Sequence, residues 1–167
     1  NVRVARFVFM RGRVDNSHGG GLRVQGATNV TVEASWFIDN QTRRGSTQTY
    51  GGGLVFWTAT GRVGRCVFLL NEANNGGAAE ALKNAHVIFR DIVAIGNRAV
   101  SNNVQTGFGG AISAYNSGNT IEVRNALLLG NRAGISGGAL YRNAGTLAVY
   151  NATVFDNQPD GVSGAFN

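Results

Sequence analysis

A short glycine step followed by an apolar residue recurs along this chain, and each time a second apolar stretch answers it. The steps read Gly19-Gly20-Gly21-Leu22, Gly51-Gly52-Gly53-Leu54, Gly76-Gly77-Ala78-Ala79, Gly109-Gly110-Ala111-Ile112, Gly137-Gly138-Ala139-Leu140 and, less regularly, Ser163-Gly164-Ala165-Phe166. Five answering stretches end on asparagine, at Asn40, Asn71, Asn97, Asn131 and Asn157, and the first ends on Gly12 instead. A unit this small cannot bury its apolar residues by itself. Stacking on like units supplies the missing surface, so the repeat specifies a solenoid.

Counting back from each terminal Asn sorts the apolar residues into columns. Ten and eight positions earlier stand Val2 and Val4, Val30 and Val32, Gly61 and Val63, Val87 and Phe89, Ile121 and Val123, Leu147 and Val149. Alternation with Arg3, Thr31, Arg62 and Glu122 is the period of a strand. Successive terminal Asn residues lie 31, 26, 34 and 26 positions apart. The variation is confined to the stretch after the Asn, which is short at 72–75 and long at 41–50 and 98–108. Two fixed corners and one free corner describe a coil whose insertions face solvent. The expectation is a parallel β-helix of about six coils, a rod of roughly 30 Å at one strand spacing per coil. The terminal asparagines Asn40, Asn71, Asn97, Asn131 and Asn157 are expected to form a structural ladder between coils. In the corner column six positions earlier, Asn125 over Asn151 predicts a second amide ladder, and Arg65 beside Asp91 predicts an ion pair.

The paired signatures Gly-Gly-Ala-Ile/Leu and Phe-x-x-Asn resemble the repeats of the polymorphic outer membrane proteins of chlamydiae and related repeat proteins of other bacteria and algae. More broadly, the chain resembles the pectin-lyase-like right-handed β-helix superfamily. Gly109 to Ile112 and Phe37 to Asn40 match best, while Ala94, Leu128 and Val154 depart from the Phe position and Gly12 from the Asn. The resemblance spans essentially the whole chain. It implies an all-β, right-handed parallel β-helix and, for function, surface display or adhesion. Residues 1–167 are read as a single segment with no polar cap at either end, hence a piece of a longer chain whose anchor and signal lie outside it.

Composition bounds the rest. With 167 residues, 43% hydrophobic types and 25 glycines, the chain holds one continuous core. One proline and 14% charged residues exclude disorder. Nothing approaches the roughly 18 apolar residues of a membrane span, so none is expected in this segment. The net charge of +6 rests on arginines scattered over every coil, with Lys83 the lone lysine. Without interleaved stacking aromatics this excludes nucleic acid as the partner. Arg98 and Arg132 follow the terminal Asn in adjacent coils and read as two solvated side chains, with the bracketing of a carboxylate as the alternative. Cys66 is the only cysteine and falls in a column of small and apolar residues, which makes it a buried thiol. His18 and His86 have no second ligand at metal spacing, so neither a metal nor any cofactor is expected.

A carbohydrate-active enzyme would need two or three carboxylates converging on one outer face. Asp39 and Asp156 share a column but stand four coils apart. The best grouping, Glu122 with Arg90 and Arg124, reads as a surface ion pair, and no catalytic residue is assigned. Outward aromatics are the stronger signal: Trp57, Leu82 and Tyr115 share one column and Tyr141 lies in the next, a strip suited to an interface, to loop cover or to stacked sugars. Among the Asn-x-Thr triplets, Asn29 is the candidate glycan acceptor, because Asn40 and Asn151 lie in ladder columns where burial would block modification. The reading is an extracellular or cell-surface structural or adhesive module, non-catalytic, within a layer or filament. Its expected partners are other protein subunits, as a homo-oligomer or filament, or surface glycans. The alternative is a polysaccharide lyase or hydrolase whose site lies partly outside the segment.

Overall fold

In the computed structural model, which describes residues 1–43, 48–101 and 106–164, the chain is all-β and winds into a parallel β-solenoid of about five turns. Six stacked strands enclose five intervals, which is why six sequence coils give about five turns. Among the described residues there are three parallel sheets. A bent sheet begins each turn in two arms, Val2–Ala5 then Val8–Met10, Val30–Glu33 then Trp36–Ile38, and Thr60–Gly64 then Val67–Leu69. From His86–Ile95 through Thr120–Leu129 to Thr146–Phe155 the two arms merge into single strands. A short sheet follows, from Arg13–Asp15 to Arg132–Ala133, and the glycine steps then open a third sheet, from Leu22–Gln25 to Val162–Gly164. No helix of the described residues is long and apolar enough to cross a membrane.

The sequence columns are the registers of the sheets. Val2 pairs with Val30, Val30 with Gly61, Gly61 with Val87, Val87 with Ile121 and Ile121 with Leu147. Gly61 breaks the apolar column for a packing reason: a Cβ there would stand 2.8 Å from the Phe56 ring, which already fills that layer. Inward rings stack in register, Phe9 on Phe37 and Phe37 on Phe68, each pair with centroids 4.8 Å apart. The sixth glycine step is placed differently from the sequence expectation. Val162, and not Phe166, pairs with Leu140, while Ser163 pairs with Tyr141. Gly161 O accepts from the N–H groups of Ala139 and Leu140, as Ala139 O does from Ala111 and Ile112, so backbone pairing and not glycine count sets the step. Residues 165–167 of the expected step lie outside the described residues.

Each turn changes direction on a single left-handed residue at two corners. Between the arms these are Arg6, Ala34, Arg65, Asp91, Asn125 and Asn151; before the terminal Asn they are Arg11, Asp39, Leu70, Gly96, Gly130 and Asp156. A left-handed conformation costs an L-residue roughly 1–2 kcal/mol. What offsets this is the column that follows the second corner. Asn71 is fully buried; its Nδ2 donates to Phe37 O (2.9 Å) and to Asn97 Oδ1 (2.9 Å), and its Oδ1 accepts from the N–H and Nδ2 of Asn40, both at 3.0 Å. Asn97 and Asn131 repeat the pattern, which runs from Gly12 N to Asn157. A second, exposed ladder runs along the first corner: Asn151 Nδ2 donates to Asn125 Oδ1, and Asn125 Nδ2 to Asp91 Oδ1. Asp91 is thereby engaged, and Arg65 pairs with Glu33 at 2.5 Å instead of with Asp91.

The third corner is the variable one. Pairing resumes along Tyr50, Asn75, Phe108 and Ser136 whatever length precedes it. Residues 44–47 and 102–105 of the two long loops lie outside the described residues. Just beyond, the second glycine of each step runs against the short sheet: a Cβ on Gly77 would lie 2.3 Å from Gly110 O and 2.6 Å from Arg98 O.

The two ladders make a quantitative contrast. Asn71→Ala removes four bonds inside the core and strands buried partners, so it should cost about 4 kcal/mol; Asn125→Ala, on the exposed ladder, should cost about 1 kcal/mol. Urea denaturation of the two variants checks this, and equal losses would contradict it.

Candidate functional site

The glycine-step sheet carries the aromatic strip. Its outward columns are Arg23, Val55, Glu80, Ser113 and Tyr141, and Trp57, Leu82 and Tyr115. Trp57, Tyr115 and Tyr141 are half-buried, and Leu82 is buried although it points outward. The cover comes from the residue directly preceding each glycine step, which is His18, Tyr50 or Phe108 in three of the turns. His18 stacks on Trp57 at 4.8 Å and tilts against Tyr50 at 5.1 Å. Tyr50 and Phe108 each lie 6.2 Å from Tyr115, and Phe108 stacks on Tyr141 at 4.4 Å. The Arg23 guanidinium and the Lys83 ammonium sit over the Trp57 ring, at 5.3 and 4.8 Å. Three of the four expected residues, Trp57, Tyr115 and Tyr141, thus join one continuous canopy of rings, and Leu82 lies buried in the same column as Trp57 and Tyr115. The sequence signal overlooked was the ring-bearing position before the glycines.

Beneath that canopy lies a carboxyl. Glu80 is 1% exposed; its Oε1 accepts from Ser113 Oγ at 3.2 Å, and its Oε2 has no hydrogen-bond partner. Burial pushes its pKa well above the ordinary value, and the hydrogen bonds from Ser113 and the Tyr115 backbone only partly oppose this. Burial thus favours its neutral form. Burial, then Glu80, then Tyr115 raise the Tyr50 hydroxyl, and burial raises that of Tyr141. His18 moves the other way, lowered to about 4 by burial and then by Arg23 and Lys83.

A charged groove runs along the outer face of the first arms of the bent sheet, lined by Glu33, Asp91, Glu122, Arg65, Arg90 and Arg124. Arg3 and Arg65 both hold Glu33, whose carboxyl sits below its ordinary range chiefly through the Arg3 hydrogen bond. Arg124 holds Glu122, and Arg90 Nε lies 3.4 Å from Asp91. In this groove the acids serve as ion-pair partners. A general acid requires the opposite, a raised and accessible carboxyl.

The second arms carry the feature that the sequence reading passed over. Four and two residues before each terminal Asn, outward-facing, stand Val8, Trp36, Val67, Val93, Leu127 and Thr153, then Met10, Ile38, Leu69, Ile95, Leu129 and Phe155. Eleven of these twelve positions are apolar. Trp36, Val8, Met10 and Phe155 are 47–67% exposed. With the inward column between them, these residues form a continuous apolar run, the signature of a strand whose two faces are both to be covered. Treating the stretch as core alone hid its second face.

The remaining candidates fall into place singly. Asn29 is exposed in the turn before Val30–Glu33, its N–H bonded to Thr60 Oγ1. Asn40 is fully buried, whereas Asn151 is exposed, because its ladder runs along the outside of a corner. Cys66 is buried, and burial raises its thiol. Arg98 pairs at 3.4 Å with Glu72, its neighbour on the side away from Arg132. Among the described residues no group of three or more His, Cys, Asp or Glu side chains could hold a metal ion. Fold and faces together define a parallel β-solenoid with one ring-covered side, one ion-paired side and one bare apolar side. No protein-family model, curated protein or solved structure matches the chain.

The buried groups set a pH window. Glu80 has a raised folded-state pKa, so its contribution is complete below its ordinary 4.5 and is lost as pH rises. His18 is depressed, so its contribution is present above 6.5 and is lost as pH falls toward about 4. Urea melts at about pH 5 and about pH 8 should show Glu80→Gln gaining stability relative to the parent as pH rises, and His18→Phe gaining as pH falls. Parallel pH profiles for parent and variants would refute the assignment.

Proposed function

We propose that this chain is a structural or adhesive β-solenoid module of an extracellular or cell-surface protein, acting by protein contact and not by chemistry. The observation that carries the reading is the apolar wall. Outward apolar side chains span all six strand levels without a charged residue among them. Patches of this extent on otherwise polar surfaces mark interaction sites. The resemblance of the glycine and Phe-x-x-Asn signatures to polymorphic outer membrane protein repeats supports the same reading.

A polysaccharide-active protein is the second reading, favoured by the grouping of Glu33, Asp91 and Glu122 along one groove. The ion pairs that hold Glu33 and Glu122 turn the balance toward contact.

Beads coated with the chain should cluster, and beads coated with the Leu69→Lys, Ile95→Lys double variant should not, with the thermal transition unchanged. Both side chains point away from the core, so folding should tolerate the substitutions. Clustering that survives the two lysines would end the wall reading.

A further inference from the structure

We propose that the apolar wall pairs with the same wall of a second copy of this chain, the two rods running antiparallel about a two-fold axis that crosses the stack along the strand direction. This rests on the wall being a contact surface, and it adds the partner and the geometry.

Two two-fold arrangements bring the walls face to face. If the axis runs along the stack, equal levels meet and each corner column faces the other. Arg6 then opposes Arg11 of the second copy, and no residue of either corner column meets an opposite charge. If the axis crosses the stack, the first level meets the sixth, the third meets the fourth, and each corner column faces itself. Arg11 then opposes Asp156 of the second copy, and Arg65 opposes Asp91, each twice by symmetry. No like charges meet in either column. Asp39 falls opposite Gly130, and Arg6 opposite Asn151. Within one chain Arg65 and Asp91 occupy adjacent levels of the same column yet do not pair, Arg65 turning to Glu33 and Asp91 to Asn125 and Arg90.

Shape agrees with charge. Leu70, 63% exposed, leans over Gly96 on the next level, its Cδ2 2.9 Å from where a Cβ on that glycine would stand. In the antiparallel pair the axis passes between these two levels, so the two Leu70 side chains meet on it. Across the wall, large faces small or medium: Phe155 meets Met10, and Trp36 meets Leu127. From corner to corner the wall is about 17 Å wide and six strands, about 29 Å, tall, so two copies cover about 1,000 Å² together. That reaches the lower bound for a specific interface.

The test is sedimentation of the full chain and of charge variants at the exposed corners. The parent should be a dimer. Arg65→Asp places two aspartates face to face, and Asp91→Arg two arginines; each should weaken dimerisation about tenfold or more, and the double exchange Arg65→Asp, Asp91→Arg should restore it. Independently, a mixture of Arg11→Cys and Asp156→Cys chains should form a disulfide-linked heterodimer under mild oxidation, and Arg6→Cys mixed with Arg11→Cys should not. Cross-linking of the second mixture in place of the first would overturn the antiparallel geometry. A monomeric parent whose beads still adhere to other surfaces, with adhesion abolished by the wall lysines, would overturn self-pairing and leave the wall reading standing. Wall lysines without effect on either measurement would overturn both.

Discussion

Everything in this solenoid hangs on the buried asparagine column. A turn that reverses on one left-handed residue leaves polar backbone pointing into an apolar core, where an unpaired group costs about 1–3 kcal/mol. Asn supplies a donor and an acceptor on one short side chain. Each of Asn71, Asn97 and Asn131 therefore answers the backbone of one neighbouring level and the amide of the next. A hydroxyl has one donor where each of these side chains uses two, and an ionised carboxylate has none. With the corner fixed in this way, the Phe column stacks, the short sheet closes, and the glycine step returns the chain to the same height.

Those fixed corners decide what each outer face can become. Strand alternation is strict, so a residue written between two core positions must face outward, and the three sheets have used that freedom differently. The glycine-step sheet is roofed by His18, Tyr50 and Phe108, and Glu80 is buried in that sheet. The first arms carry arginines and acids, with Glu33 and Glu122 held in ion pairs. The second arms stay apolar, and nothing within the described chain lies over them.

The core and its register were legible because they are periodic: columns counted from an Asn mark are also the strand pairings, from Val2 with Val30 to Ile121 with Leu147. What stayed hidden was not periodic or was doubly periodic. The sixth glycine step was misplaced because glycine spacing was followed where Val162 and Gly161 carried the pairing. Arg65 and Asp91 are neighbours in the column but not partners, since Glu33 takes Arg65 while Asn125 and Arg90 engage Asp91. The covering rings escaped because His18, Tyr50 and Phe108 stand at a position set by the loop, not by the strand. The wall escaped because an unbroken apolar run reads as core from both sides.

The wall also makes length a variable with a physical meaning. Every added level contributes two more outward side chains and a strip of about 80 Å², while the inward layers above and below it are left as they were. Such a rod gains contact area in equal increments as repeats are duplicated, and loses it the same way, without any core residue having to change. Affinity in this architecture is counted out in turns, and the same asparagine mark that closes one turn decides where the next increment begins.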